Sequence, residues 1–432
     1  MSSVTFLQIL RAEMNKPAIV EFTEIEGETE LAAPETYAAL LIDWAADRHV
    51  SDLFISDDQR SVTVSVRRLG RVELVRRLAK DYGNRLQGHF RAISGAGAGD
   101  AIHPADGRGV VTSEDGKDHE FRLSAIPTLF GQDVTVRLFD SKRGDCGLES
   151  LGLDDGEVAA LKRLLDQPSG LMLVSGPVAS GKTCTLYSSL HYLNDGTLKI
   201  HTIEDPVEYA IHGVQQTQVN LRAKLDFSDL LTAVLRHSPD VIMIGEIRDA
   251  RSAATAVRAG ASGQLVLATV HADSAAQAIN TMLQYETNPT FLARTLIGVV
   301  NQRLISKLCL DCRQEIWAAD DLCRNERVWQ KLGGVQPKLH RKVGCPKCYE
   351  TGFSSLNCLP EIMCIDRDIE QAIIHGDDAG QIEQIAIDHG MLSLADAAQV
   401  RVLRGDTTAS EACRVIEHPD LSFLVAKERE LR

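Results

Sequence analysis

Apolar spacing divides the chain into regions of different rhythm. From Pro34 to Ala46 the apolar residues Tyr37, Leu40, Leu41 and Trp44 recur at helical intervals. Short alternating runs follow, Leu53-Phe-Ile55, Val62-Thr-Val-Ser-Val66 and Val72-Glu-Leu-Val75, and alternation predicts strands. Ala92–Gly107 is rich in Gly and Ala and contains Pro104, which predicts a loop. Two further runs, Phe121–Ile126 and Val134–Leu138, flank a predicted turn at Thr128–Gly131. Together these predict a small α+β domain over residues 36–140. Residues 1–35 carry no readable pattern and are expected to form an arm. Ser141-Lys-Arg-Gly-Asp145 is polar and predicts a linker over 141–147.

From about Leu148 the rhythm changes. Short apolar runs (Leu171–Val174, Lys199–Ile203, Val241–Ile244, Gln264–Thr269) alternate with longer helical stretches. That alternation predicts an α/β core with a parallel sheet over 148–307. Residues 308–432 contain cysteines and then turn helical and polar.

The chemistry concentrates at residues 176–183, Gly-Pro-Val-Ala-Ser-Gly-Lys-Thr. This is the G-x-x-x-x-G-K-[ST] phosphate-binding loop. Its glycines let the backbone turn N–H groups toward phosphate oxygens. Lys182 can reach β/γ-phosphates and the Thr183 hydroxyl can ligand Mg²⁺. The candidate nucleotide contacts are Gly176, Ser180, Gly181, Lys182, Thr183 and Cys184. A Gly/Ser turn that binds nothing is the alternative. The apolar run before the loop and the helical pattern after it favour the phosphate reading.

Three strand-like runs end in groups that suit such a site. Val241–Ile244 leads to Glu246, the place of a carboxylate that holds Mg²⁺ or its water shell. Lys199–Ile203 leads into Glu204-Asp205-Pro206-Val-Glu208, where Glu204 can orient an attacking water or support Mg²⁺. A solvated acidic turn is the alternative there. The run Leu265–Val270 ends at His271, a candidate phosphate contact, although a lone histidine is more often structural.

Bulk properties narrow the class. The 432 residues are 44% hydrophobic and 25% charged, as in a soluble protein of two or three domains. No apolar run approaches 18 residues, and no basic-then-apolar leader opens the chain. A cytoplasmic protein is expected. The net charge of −14 disfavours non-specific nucleic-acid binding. Among ten cysteines, Cys309-x-x-Cys312 and Cys345-x-x-Cys348 form two pairs whose thiolates suit tetrahedral Zn²⁺. Redox thiols or a metal-free loop are the alternatives. Cys323, Cys358, Cys364 and Cys413 read as ordinary thiols.

The ordered set GPVASGKT, TIEDPVEY, PDVIMIGEIRD and SGQLVLATVH resembles the secretion ATPases that drive type II secretion and type IV pilus assembly. Gln216-Thr-Gln-Val-Asn220, Arg303–Cys309 and Gly390–Leu394 extend the resemblance over about residues 36–415. It implies a RecA-like P-loop motor behind a small α+β, PAS-like domain, with a tetracysteine zinc-binding and helical region at the C-terminal end. Asp106-Gly-Arg108 and Phe121-Arg122-Leu-Ser match family segments whose arginines contact the nucleotide phosphates. On that resemblance Arg108 and Arg122 would carry charge to the γ-phosphate; read alone, they are surface ion-pair residues.

The resemblance further implies a hexameric ring that hydrolyses ATP with Mg²⁺. The ring would sit at the cytoplasmic face of the inner membrane through a membrane platform protein, with no direct nucleic-acid contact. The tetracysteine set fits assembly or secretion, since retraction ATPases usually lack it. The machine served stays open among pilus assembly, conjugative pilus, competence and type II secretion. Longer family members carry an extra N-terminal domain, expected to be absent here. Two positions depart from the pattern: Gln264 replaces a family histidine and Arg251 a family acid. The second reading is a nucleic-acid-translocating motor on the same core. The two departures motivate a third, a nucleotide-dependent scaffold with weak hydrolysis.

Overall fold

The computed structural model describes residues 32–97, 102–113, 116–139 and 147–430. The expected arm, up to residue 31, and the linker, up to residue 146, lie outside the described residues. The chain divides into two compact units between Lys142 and Arg143.

In the first unit, helix α1 (Pro34–Asp47) opens with Pro34 in its first turn, where the missing N–H is not needed. Strands β1 (Val50–Asp57), β2 (Ser61–Arg68) and β3 (Arg71–Ala79) form a meander that leads into α2 (Lys80–Ile93). β4 (Ala105–Thr112), β5 (Asp118–Thr128) and β6 (Gly131–Leu138) complete a six-stranded antiparallel sheet in the order β3-β2-β1-β6-β5-β4. Alternation sends Leu53, Ile55, Val64, Phe121, Leu123, Val134 and Val136 into one core with Tyr37, Tyr82 and Phe90. Each of these side chains contributes roughly 1.5–3 kcal/mol through burial. The turn falls where expected, between Thr128 and Gly131. The predicted loop over Ala92–Gly107 is corrected at both ends. Helix α2 runs on to Ile93, and β4 has begun by Ala105, so Arg108 sits on a strand.

The second unit begins with α3 (Asp155–Leu165), whose start is fixed by a capping box between Asp154 and Glu157. β7 (Gly170–Ser175), α4 (Lys182–Leu193), β8 (Ile200–Glu204) and β9 (Gln215–Gln218) follow. Next come α5 (Phe227–Val234), β10 (Val241–Ile244), α6 (Ala250–Ala261), β11 (Leu265–Val270), α7 (Ala275–Gln284), α8 (Pro289–Thr295) and β12 (Leu296–Leu308). Beyond them lie β13 (Gln314–Ala318), α9 (Glu326–Leu332), β14 (Lys338–Arg341) and β15 (Phe353–Cys364). Five helices finish the unit: α10 (Arg367–His375), α11 (Ala379–Asp388), α12 (Leu394–Leu403), α13 (Ala409–Val415) and α14 (Pro419–Glu430).

Seven strands form one sheet in the order β15-β12-β7-β11-β10-β8-β9. Period-two alternation splits its core. Leu171, Leu173, Ile242, Ile244, Val266 and Ala268 face the layer that includes α6, α7 and α8. Met172, Val174, Val241, Met243, Leu265 and Leu267 face α3 and α4. The expected α/β architecture holds, but the sheet is mixed rather than purely parallel. β15 runs antiparallel to β12 along its whole length, from Gly298–Cys364 to Leu308–Phe353. The sheet thus draws a strand from beyond residue 307, where the cysteine-bearing and helical region was expected to begin. No described helix is long and apolar enough to cross a membrane.

Candidate functional site

β8, β10, β11 and β7 run parallel, so their C-terminal ends share one edge of the sheet. Ligands of open α/β sheets bind at that edge. The phosphate loop leaves β7 through Gly176 at φ +141° and enters α4 from Gly181 at φ +89°. A Cβ on Gly176 would lie 2.4 Å from the Gln302 carbonyl oxygen and 2.6 Å from Ser180 Oγ, so only glycine fits. Lys182 Nζ donates to the carbonyls of Gly176 at 2.7 Å and Pro177 at 3.0 Å. Burial lowers its pKa, opposed by nearby Glu246. Ser180 Oγ is buried with no hydrogen-bond partner, a donor that phosphate could satisfy. Thr183 and Cys184 are exposed at the first turn of α4.

The acids arrive from neighbouring strand ends. Glu246 Oε1 lies 2.6 Å from His271 Nε2, and Oε2 accepts from Arg248 Nε at 2.5 Å. Arg248 also reaches Asp205 at 3.5 Å. Glu204 is 3% exposed, and its carboxylate accepts from the Tyr187 hydroxyl, from Thr202 Oγ1 at 2.6 Å and from Gln216 Nε2 at 3.1 Å. Burial, and then the Glu204 charge, raise the Tyr187 pKa. Thr183, Tyr187, Glu204, Asp205, Glu246 and Arg248 line one cleft. Thr183, Glu204 and Glu246 therefore share a cleft, and His271 joins them through Glu246.

Arg108 and Arg122 belong to the first unit. They stand directly opposite each other across β4 and β5. Arg137 continues the row on β6, paired with buried Asp52 at 2.9 Å. Arg122 lies 3.8 Å from Asp106. Like charges placed opposite on a sheet destabilise it, and here Asp106, Asp52 and the Phe139 ring beneath Arg108 offset that in part.

The two departures from the family pattern lie elsewhere. Gln264 precedes β11, at the opposite end from His271, about 20 Å away at strand rise. Arg251 opens α6 and pairs with Asp226 and Asp229 at the start of α5. Neither is among the residues that line the cleft.

Sequence reading missed Tyr187 and Gln302. Tyr187 lies four residues past Thr183, hence on the same face of α4. Gln302 gave no signal, because its contact with the loop spans 122 residues.

A second site lies at the end of β12. The sulfurs of Cys309, Cys312, Cys345 and Cys348 all lie within 4.8 Å of one another. Cys309–Cys345 and Cys312–Cys348 are 3.8 Å apart, and Cys345–Cys348 3.7 Å. A tetrahedron with Zn–S bonds of about 2.3 Å has edges of about 3.8 Å, so the donor set fits Zn²⁺. The Gly344 N–H donates to Cys312 Sγ at 3.4 Å, and those of Cys345 and Gly352 to Cys348 Sγ at 3.2 Å each. Such donors favour thiolate. These residues would hold the ion in a closed structural site.

Residues 29–414 match the family model described as type II/IV secretion system protein. The type II secretion system protein HxcR of Pseudomonas aeruginosa is 38% identical over 72% of this chain and 62% of its own length. The type IV pilus assembly ATPase PilB of Thermus thermophilus is 33% identical over 94% of this chain and 46% of its own. The type II secretion system protein E of P. aeruginosa is 33% identical over 86% of this chain and 73% of its own. The chain thus spans less than two thirds of the first two relatives. The Legionella pneumophila ATPase DotB superposes with TM-score 0.63 at 17% identity, covering 90% of this chain and 94% of that one. The pilus retraction motor PilT gives TM-score 0.59 at 23% identity, covering 90% and 98%. These two likenesses show a shared fold; the family model and the sequence relatives establish that the chain belongs to the type II/IV secretion system protein family.

Proposed function

We propose that this chain is an ATP-hydrolysing motor that powers assembly of a type IV pilus or a related secretion, competence or conjugative machine. The observation that carries the reading is the shared cleft. Thr183, Glu204 and Glu246 line it beside a phosphate loop whose Ser180 hydroxyl is unpartnered.

Each residue then has a task. Lys182 exchanges the carbonyls of Gly176 and Pro177 for β/γ-phosphate oxygens. Backbone N–H groups around Gly176, Ser180 and Gly181 and the start of α4, including Cys184, cradle the phosphates. Thr183 and Glu246 would hold Mg²⁺, which neutralises charge on the β- and γ-oxygens when bound. Glu204, fixed by three donors, orients the attacking water. His271 orients Glu246 at 2.6 Å. Arg108 and Arg122 would carry positive charge to the γ-phosphate.

The working form would be a homo-hexameric ring, since head-to-tail contacts close into rings. It would act on an inner-membrane platform protein from the cytoplasmic face, drawing pilin-like subunits from the membrane. Zn²⁺ on the four cysteines would brace the end of β12. Steady-state ATP hydrolysis by the wild type and by Glu246→Gln tests the reading. Turnover that falls about a hundred-fold or more in the variant is expected. A wild type as inactive as the variant overturns it.

A further inference from the structure

We infer that Gln302 is a positioning residue for the phosphate loop, and that β12 thereby sets the loop's competence to bind nucleotide. The inference rests on the nucleotide reading above and deepens it.

Gln302 is wholly buried. β12 pairs with β7 as far as Asn301 opposite Ser175, so Gln302 stands level with the point where the loop leaves the strand. Its side chain holds the loop at the other end. Nε2 donates to the Ser180 carbonyl at 2.8 Å, and Oε1 accepts from Thr185 Oγ1 at 2.9 Å. One amide thus joins the loop's last turn to the helix that follows. The backbone of the same residue limits the loop's first turn, since the Gln302 carbonyl is what excludes a Cβ at Gly176. With the Ser180 carbonyl drawn inward, the loop's N–H groups are left for a ligand. An unpaired buried carbonyl is costly, so loss of the donor would let the loop turn to find another.

The support is itself anchored. Asn301, next in the strand, faces Ser175 Oγ at 3.2 Å and donates to the Asp273 carbonyl at 3.0 Å. Further along β12, Ser306 Oγ donates to Glu411 at 2.7 Å, and the chain then enters the knuckle at Cys309. Loop, post-β11 segment, C-terminal helices and metal knuckle therefore meet on one strand.

Gln302→Met keeps the side chain's length and removes both hydrogen bonds. Thr185→Val removes one and serves if the first variant does not fold. Two readouts are compared with wild type in the full chain: amide hydrogen exchange of residues 176–183 without ligand, and the Kd for MgADP. Faster exchange confined to the loop and a Kd raised about ten-fold in Gln302→Met, less in Thr185→Val, are expected. A purely structural role would lower protection across the sheet and leave the Kd of folded protein unchanged, and that result overturns the inference. So does wild-type behaviour of both variants. If wild type binds no MgADP, the proposed function falls, while the exchange comparison still tests Gln302.

Discussion

Tyr187 donates its phenolic hydrogen bond to Glu204, so the helix behind the phosphate loop is tied to the strand end that carries the acid. Tyr187 also meets Tyr209 edge-on, with ring centroids 4.6 Å apart. The end of β8 is therefore held to α4 by this hydrogen bond, and the segment after it by the aromatic pair and by the Glu208 N–H, which donates to the Tyr187 hydroxyl at 3.3 Å.

Tyr187→Phe keeps the packing and removes the hydroxyl. Glu204 then retains Thr202 and Gln216, both on Oε1, and is free to rotate. Turnover of ATP is expected to fall roughly ten-fold, the effect of one hydrogen bond to a charged group, with the MgADP Kd unchanged. Parallel kcat and binding measurements check this. An equal loss in both would show that Tyr187 holds the nucleotide instead.

The facing arginines of the first unit separate stability from activity. Arg122→Gln relieves like-charge crowding between β4 and β5 and gives up only an exposed 3.8 Å contact with Asp106. The unit's thermal midpoint is expected to hold or rise, while ATP turnover falls by about a hundred-fold or more. Differential scanning calorimetry beside an ATPase assay checks both. Unfolding of the variant would mean that the pair is structural.

The knuckle should contain one zinc ion per chain by elemental analysis. Cys345→Ser removes one of four donors and is expected to lose the metal and to lower the thermal midpoint by about 5 °C or more. Chelation of wild type should give the same shift. Freshly purified protein without zinc would reject the assignment.

Glu361 predicts a pH dependence. It is 2% exposed, and it accepts from the N–H of Ala275 at 2.6 Å and of Leu394 at 3.4 Å. Burial, with help from the Glu383 charge, pushes its pKa from 4.5 up to about 7 against these donors. A raised value means that the folded state keeps a proton the unfolded state releases. Its stabilising contribution is complete below pH 4.5 and is lost as pH rises through 7. Glu361→Gln should remove up to about 3 kcal/mol of that slope and be the more stable form at pH 8. Urea unfolding at pH 5 and pH 8 measures the difference. Parallel pH profiles for both proteins would count against it.

Local patterns made much of this legible. The phosphate loop, the strands before Glu204, Glu246 and His271, and the hairpin at Thr128–Gly131 each declare themselves within a dozen residues. The pairing of β12 with β15 does not, because it joins Gly298 to Cys364 across a cysteine-bearing excursion. Apolar run length alone cannot tell a strand there from a helix. Ala105–Gly107, the start of β4, read as a loop because Gly107 and Gly109 mask the strand's alternation. Gln302 was silent for a different reason. A buried amide looks like any surface glutamine until its partners, Ser180 and Thr185, are folded against it.

β12 also acts as a ruler. Seven positions separate Gln302, under the phosphate loop, from Cys309, the first sulfur of the knuckle, with a register shift between Lys307 and Leu308. Adding or deleting one residue in that interval would turn every side chain on one side of the change to the opposite face. Either Asn301 and Gln302 would miss the loop or Cys309 would miss its three partners. The spacing of this segment is therefore under as tight a constraint as its composition. A change in length would break one site or the other, whichever residue between the two points were added or removed.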